Sequence, residues 1–160
     1  MKVKNLVNYI IAAAGTTGLA KAPALALRKR LLKNYLTSPS PSRAAFAHAA
    51  NPRISFIIPV FNGAHHTLEC LLSILRVADC SCEVIVVDDG SNDETQALLS
   101  RFENIRIHCN VQNLGFLRSI NVGAKLARGE YLVLVNNDAR LVEGSLAAAL
   151  EVYESEKIVG

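Results

Sequence analysis

Three carboxylates in this sequence follow runs of apolar residues. Asp88 and Asp89 come directly after VIVV, and Asp138 follows YLVLV with two asparagines between them. An unpaired buried carboxylate is costly, so we expect these acids at the mouth of a crevice, solvated, paired with cations or bound to a ligand. Such carboxylates can accept hydrogen bonds from a nucleobase imide or a ribose hydroxyl, can share a divalent ion with a diphosphate, or can accept a phosphoryl group.

The same stretches also suit ordinary turns. DDGS at 88–91 is a good turn and helix start, because Asp and Ser side chains accept amide hydrogen bonds and glycine permits a positive φ. NNDA at 136–139 is equally suited to a turn. The presence of both at strand ends, with IPVFN at 58–62 at a third, favours a binding site over isolated turns.

The elements that must position these residues follow from the apolar pattern after residue 52. Predicted strands cover 54–60, 82–89, 105–110 and 130–138, and predicted helices cover 65–78, 93–102, 116–127 and 145–155. Strands this apolar are covered on both faces, which is typical of an α/β fold with a mostly parallel sheet and helices on both sides. Ligands of such sheets bind beyond the carboxyl ends of the strands, so we expect Asp89 and Asp138 to face one crevice.

Composition and charge divide the chain into two parts. The 160 residues are 51% hydrophobic and 19% charged, which suits one domain with a real core. The net charge of +3 arises in the first 53 residues, which contain Lys and Arg but no acid. We predict a basic N-terminal arm, helical or flexible, with a linker rich in Ser, Pro and Ala over 1–52, and a folded domain over 53–160.

The function of the basic arm is open at this point. Residues 24–36 place Leu between Lys and Arg at helical spacing, as in an exposed basic helix or in a helix that lies on a membrane surface or against another part of a protein.

The four cysteines lack the spacing of a zinc site and are interpreted as reduced thiols. We therefore expect a cytoplasmic protein with peripheral contact at the inner face of the membrane and no nucleic-acid partner.

Several other nucleotide and phosphate sites do not match the sequence. It contains neither G-x-G-x-x-G nor the P-loop pattern. A bacterial receiver domain carries its acidic pair after the first strand and needs a lysine at a later strand end. Here the pair follows the second predicted strand and no such lysine is evident, so a receiver-like regulatory domain remains only as an alternative.

The segments ISFIIPVFN, EVIVVDDGSNDET and NVQNLGFLRSINVGAKLARGEYLVLVNNDA occur in this order. Together they make the stretch from Ile54 to Gly160 resemble the nucleotide-sugar-binding half of a family 2 glycosyltransferase of the GT-A fold. The resemblance covers nearly the whole predicted domain, and as a set these motifs are highly specific. It implies an enzyme that transfers a sugar from a nucleotide-diphospho-sugar, most commonly a UDP-sugar, in cell-wall or polysaccharide biosynthesis.

The resemblance also implies roles for residues around the base of the nucleotide. Pro59 and Phe61 would line the base pocket. Asp89 would accept the imide hydrogen of the base, and Asp88 would help to shape the turn.

Other matching positions would contact the rest of the donor. Asn113, Gly115 and Arg118 fall in the stretch that contacts the donor, and a cationic Arg118 is suited to a diphosphate. Asn137 would lie near the ribose or the sugar, and Asp138 would bind Mg²⁺ or Mn²⁺ on the diphosphate. These implied roles are expectations for the structure.

The sequence departs from the family pattern at two points that bear on the predicted function. Gly63 to His66 follow Asn62 where many relatives carry an acid. The sequence ends at Gly160, before the acceptor half in which inverting members place their catalytic base, so the chain is expected to be a fragment and no catalytic residue is assigned. We predict a metal-assisted, inverting transferase with an unidentified glycan or lipid-linked acceptor; the alternative is a non-catalytic module that binds nucleotide-sugar.

Overall fold

A computed structural model describes residues 6–7, 21–38, 44–78 and 80–155, with side chains from residue 24 onward. The strands are β1 (Leu6–Val7), β2 (Ala44–Ala45), β3 (Ile54–Val60), β4 (Cys82–Asp88), β5 (Phe102–Glu103), β6 (Ile105–Cys109) and β7 (Tyr131–Leu134). The helices are α1 (Lys21–Thr37), α2 (Ala64–Val77), α3 (Thr95–Leu99), α4 (Phe116–Leu126) and α5 (Ser145–Ser155).

Five strands form one parallel sheet in the order β1-β7-β3-β4-β6. The chain runs outward from β3 through β4 to β6, and then returns to β7 on the other side of β3. The strand order therefore reverses beside β3, and the carboxyl ends of β3, β4 and β7 share one edge. The predicted α/β class with a mostly parallel sheet is confirmed.

Alternate residues of β3 face opposite sides of the sheet, as the two-residue period of a strand requires. Phe56 and Ile58 join the large core that also contains Leu71 of α2 and Leu98 of α3. Ile57 faces the other side, where α4 covers the sheet. All seven residues of β3 are consequently buried, which explains why its sequence shows an unbroken apolar run instead of alternation.

A glycine brings α4 close to the sheet. A Cβ atom on Gly123 would lie 2.4 Å from Ile57 Cγ2 and 3.3 Å from Val87 Cγ2. Neither distance leaves room for a methyl group without movement of the sheet or the helix. The position of α4, whose first turn borders the edge described below, therefore depends on the absence of a side chain at this residue.

A buried carboxylate connects the amino ends of the strands. Glu83 accepts hydrogen bonds from Ser55 Oγ at 2.7 Å and from Arg128 N at 2.7 Å. Its Oε2 also binds the guanidinium groups of Arg106 and Arg128. Burial raises the pKa of Glu83, but the bonds from Ser55, Arg128 and Arg106 more than offset it and the pKa lies below its ordinary value. Arg128 is thus half exposed and ion-paired.

The helix predicted in the basic arm packs on the domain. Leu32 of α1 and Phe46 are buried in the same core as β3 and α2. Arg101 Nη2 donates to the main-chain oxygens of Tyr35 and Ser38, each at 2.8 Å. The short strand β2 lies within the predicted linker and pairs with β5. Among the described residues, none of the helices has the length and apolar character that crossing a bilayer requires.

Candidate functional site

A cleft of about 290 Å³ opens at the carboxyl edge of the sheet. It is lined by Pro59, Val60, Phe61, Asp89, Asn113, Gly115, Phe116, Ser119 and Asn137. Six of the nine residues expected to bind donor or metal are among them: Pro59, Phe61, Asp89, Asn113, Gly115 and Asn137. Segments that follow β3, β4, β6 and β7 are thus brought together where the strand order reverses, as the rule for open parallel sheets anticipates.

The other three predicted residues lie around this cleft without lining it. Asp88 is fully buried at the end of β4. Arg118 is exposed in the first turns of α4. Asp138 is exposed directly after Asn137, in the turn that follows β7.

Asp89 is held by three donors from the segment between β6 and α4. Its Oδ1 accepts from Asn110 Nδ2 at 2.7 Å and from Leu114 N at 2.8 Å, and its Oδ2 accepts from Gly115 N at 2.8 Å. Burial alone raises the pKa of Asp89, but the bonds from Leu114, Asn110 and Gly115 outweigh it and hold the pKa below its ordinary value. Ser119 contributes a further side-chain hydrogen bond to this carboxylate. An ionised carboxylate offers about four acceptor positions, so a ligand donor in the cleft would share or replace one of these contacts.

Asp88 fixes the turn that carries Asp89. Its Oδ1 accepts from Ser91 N at 2.9 Å, and its main-chain oxygen accepts from Asn110 N at 2.8 Å. Its Oδ2 is buried with no hydrogen-bond partner among the described residues. Ser91 Oγ in turn accepts from Asn62 N at 2.8 Å. This chain of contacts connects the loop after β3 to the loop after β4.

A second connection between these loops runs through Asp93. Its Oδ2 accepts from Ala64 N at 3.0 Å, at the start of α2, while its Oδ1 accepts from Thr95 N at 3.0 Å, at the start of α3. One carboxylate therefore satisfies the free amide groups of two helix starts. The contact at the start of α2 spans 29 residues of the chain, so local sequence spacing gives no sign of it.

Helix α2 also positions the loop after β7. Asn137 Nδ2 donates to Asn62 O at 3.3 Å and to Thr67 Oγ1 at 3.1 Å. Leu141 N donates to the buried Ser73 Oγ at 3.0 Å. Because both amide hydrogens of Asn137 are used in this way, its Oδ1 is the atom available to a ligand in the cleft.

Asp138 lies near the buried thiol of Cys70. Burial raises the pKa of Cys70 to about 12, and the negative charge of Asp138 adds to the increase. Within the described residues no group of three or more His, Cys, Asp or Glu side chains could hold a metal by itself. Mg²⁺ is commonly held by one or two carboxylates together with substrate phosphates, so a single exposed carboxylate beside the cleft fits an ion shared with a diphosphate.

An ion-pair cluster next to this loop was not identified from the sequence. Glu69 on α2 contacts Arg28 of α1 at 3.2 Å and Arg140, which follows the turn after β7, at 2.5 Å. Arg140 is half exposed and paired in this way. The one signal available in advance was that Glu69 is the single acid in α2.

Comparison with known proteins agrees with this geometry. Residues 55–160 match the family model described as "Glycosyl transferase family 2". The uncharacterized glycosyltransferase RP339 of Rickettsia prowazekii is 34% identical over 88 residues, which is 55% of this chain and 28% of that protein. The glycosyltransferase GlyG of Streptococcus pneumoniae is 30% identical over 114 residues, which is 67% of this chain and 38% of that protein.

A solved structure has the same fold. The crystal structure of S. aureus TarS 1-349 aligns with a TM-score of 0.59 and 26% identity, and the alignment covers 66% of this chain and 33% of that one. TarS has also been solved in complex with UDP and with UDP-GlcNAc. This likeness confirms the predicted resemblance to GT-A structures. The aligned part of the chain spans 28% of RP339, 38% of GlyG and 33% of TarS 1-349.

Proposed function

Because the chain belongs to glycosyl transferase family 2, we propose that its cleft binds a nucleotide-diphospho-sugar and serves sugar transfer to an acceptor. The observation that supports this proposal most is the convergence of Pro59, Phe61, Asp89 and Asn137 on one cleft. Three separate sequence motifs contribute these residues. A UDP-sugar is the proposed donor, since the similar TarS structure has been solved with UDP and UDP-GlcNAc.

The base of the nucleotide would occupy the part of the cleft beside β3 and β4. Phe61 is half exposed and offers a ring face on which a planar base can stack. Pro59 adds apolar surface, and the carboxylate of Asp89 would receive the imide hydrogen of the base. The depressed pKa of Asp89 keeps this group ionised at neutral pH, in the state that only accepts hydrogen bonds.

The diphosphate would lie toward α4 and the turn after β7. Arg118 supplies a guanidinium suited to phosphate oxygens, and Asn113 and Gly115 border the same part of the cleft. Asn137 Oδ1 would accept a hydroxyl of the ribose or sugar, and Asp138 would hold Mg²⁺ or Mn²⁺ against the diphosphate. When bound, such an ion stabilises the negative charge that develops on the departing nucleoside diphosphate.

Inversion at the anomeric carbon is proposed on the family resemblance alone. It requires a base that removes the proton of the acceptor hydroxyl, and no described residue is assigned this role. A module that binds the donor without turnover is therefore the second candidate. The family match assigns the chain to the glycosyltransferases and not to receiver domains.

Titration calorimetry with UDP, GDP and dTDP, each with and without Mn²⁺, tests the proposal. We expect saturable binding of at least one nucleoside diphosphate, and stronger binding with the metal. The absence of binding for all three would contradict the proposed donor site. Hydrolysis of the corresponding nucleotide-sugar then separates an enzyme from a module that only binds.

We also propose peripheral contact between α1 and an anionic membrane surface. Leu27 and Leu31 are about half exposed one helical turn apart, and Arg30 is exposed between them. A basic helix with outward apolar residues is suited to a lipid interface. Co-sedimentation with vesicles that contain phosphatidylglycerol, but not with pure phosphatidylcholine vesicles, is the expected result. A cytoplasmic location also stays a prediction.

A further inference from the structure

A second cavity, of about 470 Å³, lies between α1 and the first turn of α2. It is lined by Lys29, Leu32, Lys33, Leu36, Thr37, His65 and Glu94. It shares no lining residue with the cleft described above. The resemblance that identified the first cleft says nothing about this one, since five of its seven lining residues precede the matched segment.

One polar atom of a residue that lines this cavity has no hydrogen-bond partner among the described residues. The Nε2 atom of His65 is buried and has no hydrogen-bond partner among the described residues. A buried nitrogen without a partner costs free energy, and such an atom beside an open cavity indicates a missing ligand or water. His65 is one of the lining residues, so the ring that carries this unfilled hydrogen-bonding position borders the cavity.

Charge favours an anion as the missing ligand. Lys29 and Lys33 lie one turn apart on α1, so their ammonium groups reach the same side of the helix. Glu94 is the one acid among the lining residues. With His65 neutral the lining carries one net positive charge, and protonation of His65 would bring it to two. The walls contributed by Leu32 and Leu36 are apolar, which strengthens electrostatic attraction inside the cavity.

We propose that this cavity binds a phosphate group, with Lys29 and Lys33 pairing its oxygens and His65 donating to it. A phosphate has several acceptor oxygens and can take hydrogen bonds from all three side chains at once. Leu32 and Leu36 would contact an apolar substituent of a phosphate ester. This site is independent of the donor cleft and does not depend on the function proposed for it.

Protonation of His65 is expected to accompany binding. In the protein alone, burial lowers the pKa of His65, and the charges of His66, Lys29 and Arg28 lower it further, against an opposing effect of Glu69. Glu94, from the segment before α3, also faces the cavity. A bound phosphate would partly cancel the surrounding positive charge and raise the pKa of His65. Affinity for phosphate should consequently fall as the pH rises through that pKa.

Nuclear magnetic resonance of ¹⁵N-labelled protein tests the proposal directly. The ring signals of His65, assigned by their loss in His65→Gln, are followed during titration with inorganic phosphate and with dihexanoyl phosphatidic acid, a soluble lipid phosphate. We expect saturable shifts and a raised pKa of His65. Binding of inorganic phosphate identifies a free phosphate as sufficient, while binding of phosphatidic acid alone shows that an apolar substituent is required.

Two variants with opposite expected effects complete the test. Replacement of both Lys29 and Lys33 by Ala should weaken binding by about tenfold or more, since charge-assisted hydrogen bonds are lost. Glu94→Gln should tighten it by roughly fivefold, because a like charge is removed. Lys125→Ala, an exposed lysine on α4, is the matched control and should leave affinity unchanged.

Three results would overturn the proposal. The first is the absence of any His65 shift with both probes, and the second is equal affinity in the parent and the double lysine variant. If circular dichroism shows that the double variant is unfolded, Glu94→Gln decides: unchanged or weaker binding would then contradict the site.

Discussion

Gly115 donates its backbone N–H to Asp89 Oδ2 at 2.8 Å, although 26 residues separate the two in the chain. Gly115 has φ 87° and ψ 161°, a combination that essentially only glycine adopts without strain. The N-cap of α4 is thus tied to the end of β4 by a carboxylate that also lines the cleft. The shape of the cleft and the charge within it both depend on this contact between Gly115 and Asp89.

Asp89→Asn should lower both stability and nucleotide affinity. The substitution keeps the size of the side chain but removes its charge and turns an amide NH₂ toward a backbone donor. We expect a loss of about 2–4 kcal/mol in the free energy of unfolding, measured by urea denaturation at pH 7. Glu151→Gln, an exposed acid on α5, is the matched control and should stay within about 0.5 kcal/mol of the parent.

The difference in unfolding free energy between the parent and Asp89→Asn should depend on pH with a definite sign. The pKa of Asp89 is depressed in the folded protein, so its contribution is fully present above the pKa of the unfolded chain. It is lost as the pH falls through the lower, folded-state value. The gap between parent and Asp89→Asn should therefore shrink on acidification; a gap that stays constant down to about pH 2 would contradict this account.

Asp138→Asn tests the metal role separately from the base pocket. Asp138 is exposed and has no hydrogen bond or ion pair to another described residue, so its loss should leave the fold intact. We expect the metal-dependent gain in nucleoside diphosphate affinity to disappear, a change of about tenfold or more, in calorimetry with and without Mn²⁺. Glu143→Gln, another exposed acid nearby, should retain the gain. Retention of the gain by Asp138→Asn would remove this residue from the metal site.

Gly123→Ala should destabilise the protein even though alanine is the better helix former. Its methyl group would lie 2.4 Å from Ile57 Cγ2, so α4 or β3 must move. Overpacking of this kind costs about 1–3 kcal/mol, which exceeds the gain of about 0.5–1 kcal/mol from helix propensity. Thermal unfolding followed by circular dichroism measures the change. Asn121→Ala, exposed on the same helix, should be neutral or slightly stabilising.

Glu83→Ala should be among the most damaging substitutions at the amino end of the sheet. It leaves Ser55 Oγ and Arg128 N without their acceptor and the guanidinium groups of Arg106 and Arg128 without a counter-charge. Breaking a buried pair costs about 3–5 kcal/mol, and the partial exposure of both arginines places this case near the lower end. Urea denaturation at pH 7 measures the loss.

The same carboxylate gives a second pH test. The pKa of Glu83 is lowered on folding, so its stabilisation is present above the ordinary glutamate pKa and disappears as the pH falls through the folded value. Glu154→Gln serves as the control, because Glu154 and Arg53 form a solvent-exposed pair, and such pairs contribute little to stability. Equal losses of unfolding free energy in Glu83→Ala and Glu154→Gln would show that Glu83 is not the centre of this cluster.

Thiol reactivity checks the core independently of any ligand. Burial raises the pKa of Cys70 to about 12 and that of Cys82 to about 11, while Cys109 is exposed. Since the thiolate is the reactive form, iodoacetamide at pH 8 should label Cys109 first and leave Cys70 and Cys82 unmodified in the native protein. Mass spectrometry after digestion gives the order. Labelling of Cys70 as fast as Cys109 would contradict the burial, and urea should abolish the protection.

The elements with long apolar runs or clear helical spacing were predictable. The strand at 54–60 and the helix at 145–155 agree with the structure at both ends, and the helix at 65–78 is displaced by one residue. The strand at 130–138 is shorter than predicted, because Val135 is the last residue bonded to β3 and the chain turns at Asn137 and Asp138. The three two-residue strands were not predicted, since two residues carry no periodicity.

What the sequence determined by itself was the class of fold and most of the residues around the cleft. Apolar runs report burial on both faces, and polar residues at strand ends lie at one edge of any parallel sheet. The contacts that hold those residues were decided only by the tertiary structure. Asp89 with Gly115, Asn137 with Thr67 and Asp93 with Ala64 join positions more than 20 residues apart. Local pattern carries no information on such pairs, because their distance depends on how the helices pack on the sheet.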